Sequence, residues 1–117
     1  MKETFRPHER IKKKKDFLFI YKQGKRYRGK YFIFIYLPNN LSSSRMAVVV
    51  GKKMGNAVKR NKIKRLMRAL FRQNKALLEA SIDLIILPQK EVHGAPWLEL
   101  QKDYAAALKS IAQKNRA

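Results

Sequence analysis

An α+β sandwich, with elements in the order α, β, β, β, α, β, α and a four-stranded sheet covered on one face by helices, follows from three patterns in the chain. Aromatic and β-branched residues cluster in KRYRGKYFIFIYL (25–37), MAVVV (46–50) and IDLIIL (82–87). Apolar residues recur at helical spacing over 57–80 and 96–114, and glycine, proline or asparagine stands at most boundaries. With 117 residues, 45% of them hydrophobic, the chain supports a single domain (1–117) with a packed core and not a disordered basic tail.

Residues 1–15 end in IKKKK and show little periodicity, so they read as a basic N-terminal arm, mobile until it meets a polyanion, with Lys12, Lys13, Lys14 and Lys15 as its densest part. In DFLFIYKQ (16–23), Phe17, Ile20 and Tyr21 share one helical face, Asp16 can cap the start and Gly24 supplies the stop. Residues 25–37 predict one or two strands, with Gly29 as the break and Pro38-Asn39-Asn40 as the turn. Alternation puts Tyr31, Ile33 and Ile35 on one face and Phe32, Phe34 and Tyr36 on the other, without saying which is wet. The strand at 45–50 is apolar on both faces and reads as central.

Asn56 is a suitable N-cap for the long helix from Ala57 to about Ala80. The strand 82–87 ends at Pro88, and it would pair in parallel with 45–50 if the two are neighbours. Pro96 lies in the first turn of the last helix, whose Trp97, Leu100, Tyr104, Leu108 and Ile111 form a core stripe.

The formal charge is +20, and it is unevenly placed. Residues 1–76 hold 23 Lys and Arg against 3 acids, whereas 77–117 hold 5 against 5. No carboxylate occurs between Asp16 and Glu79, a stretch with 16 Lys and Arg. A folded body with such a field attracts polyanions, and nucleic acid is the expected partner. An acidic lipid surface is a weaker candidate, because no segment joins a long apolar face to a basic rim. The longest apolar run, 31–37, has seven residues against the roughly 20 of a spanning helix, and the N-terminus has no apolar signal core, which predicts a soluble protein. The absence of cysteine excludes disulfides, a zinc ribbon and a thiol nucleophile, and it fits a cytoplasmic location.

On the helix from Ala57, Ile63, Leu66, Met67, Leu70 and Phe71 fall within an arc of about 80–220°, while Asn61, Lys64, Arg65, Arg68 and Arg72 fall within about 240–340°. Like charges stack there at i, i+3 and i+4 with no acid to relieve them, so an external anion must do so. Arginine suits phosphate because its planar fork makes two parallel charge-assisted bonds. Before this helix, Gly51-Lys52-Lys53-Met54-Gly55 is either an anion-binding loop or a plain glycine turn; its spacing is not that of a P-loop. For catalysis the inventory is poor: His8 and His93 are far apart and the acids lack metal-ligand spacing. Any hydrolysis must draw its metal and phosphate chemistry mainly from a partner, such as an RNA with bound Mg²⁺.

The segment VGKKMGNAV followed by KRNKIKRLMRALFR (59–72) resembles the signature of the bacterial ribonuclease P protein subunit. That signature has an Arg-Asn-Arg core followed by Ile-Lys-Arg and a further Arg; here it reads Arg60-Asn61-Lys62-Ile63-Lys64-Arg65 and Arg68, with Lys62 as the departure. The likeness extends over residues 10–112. It implies an α+β fold with a left-handed strand-helix-strand crossover, and a bacterial accessory subunit of an RNA-based endoribonuclease that removes 5′ leaders from precursor tRNA. By the same resemblance the RNA subunit would cut and would hold the Mg²⁺.

By position, the resemblance implies that Lys59, Arg60, Asn61, Lys62, Lys64, Arg65, Arg68 and Arg72 face the catalytic RNA, Asn61 near a metal held by that RNA. Phe17, Tyr21, Ile33 and Ile35 would line a cleft for the single-stranded leader, with Lys52, Lys53 and Lys90 on its phosphates. One protein per RNA is expected, with no catalytic side chain of its own and no membrane or DNA partner. A structural RNA-binding protein, such as a ribosomal one, has the same composition. A DNA-binding helix-turn-helix regulator is disfavoured, since strand MAVVV stands where the preceding helix would be.

Overall fold

The structure, a computed structural model, describes residues 9–78 and 80–116. Residues 1–8 of the expected arm, His8 among them, lie outside the described residues. Helix α1 (Lys14–Gln23) leads into β1 (Lys25–Arg28), β2 (Phe32–Pro38) and β3 (Arg45–Val48); α2 (Ala57–Asn74), β4 (Ile82–Pro88) and α3 (Trp97–Arg116) follow. The order αβββαβα is the one the sequence predicts.

The four strands lie in the order β1-β2-β4-β3. β1 and β2 form an antiparallel hairpin around Gly29, β2 pairs antiparallel with β4, and β3 and β4 run parallel, as their flanking of one helix requires. Alternation then sorts the side chains. Phe32, Phe34, Tyr36, Leu84 and Ile86 enter the main core with Ile63, Met67, Leu70 and Phe71 of α2 and Leu100, Tyr104, Leu108 and Ile111 of α3. Ile35 and Ile85 point the other way and pack with Ile20 of α1, flanked by Phe17, Leu37 and Leu87. The expectation of helices on one face is therefore corrected: α2 and α3 cover one face, α1 part of the other. Both central strands are apolar on both sides, which a sheet covered once would not require.

Tyr104 sits between the rings of Phe32 and Phe34 at 5.7 and 5.4 Å, edge to face. Burial pushes its hydroxyl pKa far above the ordinary tyrosine value, so it stays protonated.

Several local expectations change. β3 is an edge strand, not a central one; the apolar run continues past its end into Val49, which is 37% exposed. Its outer edge is met by Arg10, bridged to Met46, while the Ile11 N–H donates to the Met46 carbonyl at 3.1 Å. Glu9 is buried and paired with Lys75 at 2.7 Å, so residues 9–11 of the expected arm are docked. α1 starts at Lys14, and Asp16 sits inside its first turn, 3.4 Å from Arg45, instead of capping it. α2 ends at Asn74, whose side-chain amide donates to the Leu70 carbonyl at 2.8 Å, and a single 3-10 turn follows at Lys75–Leu77. Finally, Pro96 just precedes α3, and Trp97 is 38% exposed, outside the stripe formed by the other four residues.

Gly24 stops α1 for want of space, not for its dihedral angles, which are ordinary extended backbone. A β-carbon there would lie 2.6 Å from the Ile20 carbonyl oxygen and 2.7 Å from Cγ2 of Ile35. Gly24→Ala is expected to cost about 2 kcal/mol in denaturant unfolding, because a backbone oxygen must move. A loss below about 0.5 kcal/mol would show that α1 shifts freely on the sheet.

Candidate nucleic-acid interface

The basic surface begins where β3 leaves the sheet. Gly51 opens a single 3-10 turn, Lys52–Met54, held by Met54, whose side chain is buried. Lys52 and Lys53 are exposed. Gly55 has φ 122°, a conformation that disfavours any side chain, and it turns the chain into α2. There the Asn56 side chain accepts from the Lys59 N–H at 3.0 Å, the cap expected from the sequence.

The predicted cationic face of α2 divides into three parts. Asn61, Arg65 and Arg72 are exposed along its outer ridge. Lys64 and Arg68 are half-buried beside the edge of β3, sharing a hollow with Arg10 and Ile11. Lys59 and Lys62 turn to the opposite flank and line a groove with the start of α3. Arg60, which the resemblance places towards the RNA, is half-buried, and its Nε is closed off without a hydrogen-bond partner. The helical wheel contains the reason, since Arg60 falls at about 200°, inside the sheet-facing arc.

The acids explain why this face keeps its charge. Asp16 and Asp83 pair with Arg45, Glu9 with Lys75 and Glu99 with Lys30, while Asp103 accepts the backbone N–H groups of Lys30 and Tyr31. Among the described residues no carboxylate lies within ion-pair distance of Lys59, Lys62, Lys64, Arg65, Arg68 or Arg72. Asp83 raises the pKa of the Arg45 guanidinium through their hydrogen bonds, against the opposing effect of burial.

On the opposite face, α1 crosses the strands at one end. Asp16 reaches Arg45 beside β3, and Gly24 leads into β1 at Lys25, opposite Tyr36. Asp16, Phe19 and Gln23 share a hollow with Arg45 and Asp83, which leaves Phe17 and Tyr21 on the flank towards the uncovered sheet. Their rings stack with centroids 6.1 Å apart, and the Arg26 guanidinium lies 5.1 Å over Tyr21. The uncovered floor holds Ile33, Leu87 and Val49, all accessible to some degree.

Ile35, expected in the cleft, is fully buried beneath α1 and can only support it. Phe17 is half-buried, whereas Tyr21 is 42% exposed. Because β3 and β4 are parallel, their C-terminal ends coincide, which brings Lys52, Lys53 and the exposed Lys90 to the open end of the sheet. Arg26 and Arg28 were missed by sequence reasoning. Registered opposite Ile35 and Ile33, they belong to the cleft face, and the alternation in KRYR was the available signal.

Lys12, Lys13, Lys14 and Lys15 are exposed, the first two leading into α1 and the others in its first turn. No group of three or more His, Cys, Asp or Glu able to hold a metal ion occurs among the described residues, and none of their helices is long and apolar enough to cross a membrane.

Comparison with known proteins agrees with this fold. The sequence profile of the Ribonuclease P family matches residues 5–112. The ribonuclease P protein component of Thermotoga maritima is 39% identical over 92 residues, 79% of each chain. That of Syntrophus aciditrophicus is 38% identical over 107 residues, covering 92% of this chain and 90% of its own. The solved structure of the Thermotoga maritima RNase P protein superposes with a TM-score of 0.79 at 33% identity, over 87% of this chain and 96% of that one.

Proposed function

We propose, from the premise that this chain belongs to the ribonuclease P protein family, that it binds the catalytic RNA through α2 and the single-stranded 5′ leader of precursor tRNA through the cleft beside α1. Membership makes it a component of a tRNA-processing ribonucleoprotein nuclease with an RNA partner. The observation that carries the finer reading is the unpaired cationic face of α2, continued through Lys52 and Lys53 to a cleft on the other side of the sheet. Two RNA surfaces on one small body suit a protein that joins a substrate strand to a second RNA.

In this reading leader bases pack on the exposed part of Tyr21 and on Phe17 beside it, a contact tolerant of sequence, while Arg26 stays over the Tyr21 ring and Arg28, Lys52, Lys53 and Lys90 follow the backbone. Affinity gained only from the leader favours precursor over mature tRNA. The outward groups of α2 do not fit a protein-bound Mg²⁺: ammonium and guanidinium groups only donate, and Asn61 offers one amide oxygen. The ion is assigned to the RNA, with Asn61 nearby; the cations of α2 neutralise phosphates and let RNA segments approach. The complex has one protein per RNA and works in the cytoplasm, with the RNA as catalyst.

Cleavage of a 5′-leader precursor tRNA by a bacterial ribonuclease P RNA, at Mg²⁺ too low for the RNA alone, tests this directly. Adding the chain is expected to restore cleavage at the mature 5′ end. Tyr21→Ala should weaken binding of precursor about tenfold and leave mature tRNA unchanged. Binding without restored cleavage would favour a purely structural RNA-binding role.

A further inference from the structure

A groove of about 420 Å³ lies between the first half of α2 and the turn into α3, on the main-core side of the sheet and away from the leader cleft. That volume falls within the roughly 300–1,000 Å³ of small-molecule sites. Its floor is apolar: Ile63 and Leu100 are almost wholly buried, and Leu66, also in the lining, is partly buried. Trp97, the only tryptophan of the chain, forms one wall and is 38% exposed. Lys59, Lys62 and His93 line the rim, and no carboxylate does. The acid nearest in sequence on α3, Glu99, is drawn to the other flank, where its Oε1 accepts from the Tyr31 hydroxyl at 3.3 Å and lies 3.7 Å from the Lys30 ammonium.

A large ring face left open beside two unpaired ammonium groups matches a ligand that is planar at one end and anionic at the other. We infer that this groove takes one unstacked nucleotide of the catalytic RNA, its base against Trp97 and its phosphate between Lys59 and Lys62. The inference rests on the reading of α2 as the surface for that RNA. It commits to that RNA and not to the leader, because the leader cleft lies across the sheet. It also gives Lys59 and Lys62 a task distinct from that of Arg65 and Arg72: they turn towards α3 and hold one nucleotide, whereas the outer ridge tracks a backbone.

The single tryptophan reports on its own groove. Titration with the ribonuclease P RNA is expected to quench Trp97 fluorescence, whereas a leader oligonucleotide is expected to leave it unchanged. Trp97→Leu should weaken affinity for the RNA about tenfold, and Trp97→Phe, which keeps a ring, should stay close to the parent. Thermal midpoints matching the parent would show both variants folded. RNA that binds and is activated for cleavage, yet leaves Trp97 unquenched and Trp97→Leu unweakened, overturns the groove site and spares the proposed function. Quenching by the leader alone overturns the assignment to the catalytic RNA, and failure of the parent chain to bind the RNA overturns both readings.

Discussion

Combined Lys64→Ala, Arg65→Ala and Arg68→Ala is expected to lower affinity for the catalytic RNA about 10²-fold at moderate salt, from about 1 kcal/mol for each phosphate contact. The three cations occupy adjacent turns of α2, and no carboxylate among the described residues offsets them. In the proposed contact each neutralises a phosphate and releases a counterion, so the slope of log affinity against log salt should fall by about 2 to 3. Binding measured across a salt series, with the thermal midpoint as control, checks this. The loss should be uniform across RNA sequences, because the contact is to backbone and not to base edges. An unchanged salt slope would mean that these cations do not meet phosphate, even if affinity fell.

Asp83→Ala should be the most damaging single polar change to the fold, at about 3 kcal/mol or more. Asp83 is only 4% exposed, and its carboxylate accepts from Arg45 Nε at 2.9 Å, Arg45 Nη2 at 2.7 Å and the Asn39 side-chain amide at 2.6 Å. Removing it leaves a guanidinium whose side chain is 18% exposed with only the longer 3.4 Å contact to Asp16, and water can compensate the rest only in part. The same network ties the start of β3 to β4 and, through Asp16, to α1, so the cleft beside α1 should loosen with it. Urea unfolding of the single variant, and of Asp83→Leu combined with Arg45→Met, separates charge from packing. The double variant is expected to recover most of the loss, since it leaves no buried charge unpaired. A single variant less than about 1 kcal/mol below the parent would assign the anchoring of α1 to its apolar contacts alone.

Where periodicity and local chemistry decide, the sequence was legible. The two faces of α2, its Asn56 cap, the hairpin broken at Gly29 and the stripe of Leu100, Tyr104, Leu108 and Ile111 all depend on neighbours within a few residues. The charge pattern showed a polyanion-binding body, because an absence of acids over a long stretch needs no coordinates to be seen. The motif around Arg60-Asn61-Lys62 placed the chain in a family that the profile match then bore out.

What depended on strand order was not legible. An edge strand whose second face is open looks like a central one when only its own residues are read, and β3 was misplaced for that reason. Ile33 and Ile35 share a face in sequence, yet α1 covers Ile35 and leaves Ile33 accessible. Arg60 and Arg65 are both cations of one motif, but one turns towards the sheet and the other to solvent. The sequence by itself determined the elements, the partner class and the family, since these rest on local periodicity and summed charge. Only the tertiary structure decided which of these side chains are exposed and which are covered, because exposure depends on strand order and on where α1 and α3 cover the sheet, and both are settled by contacts between residues distant in the chain.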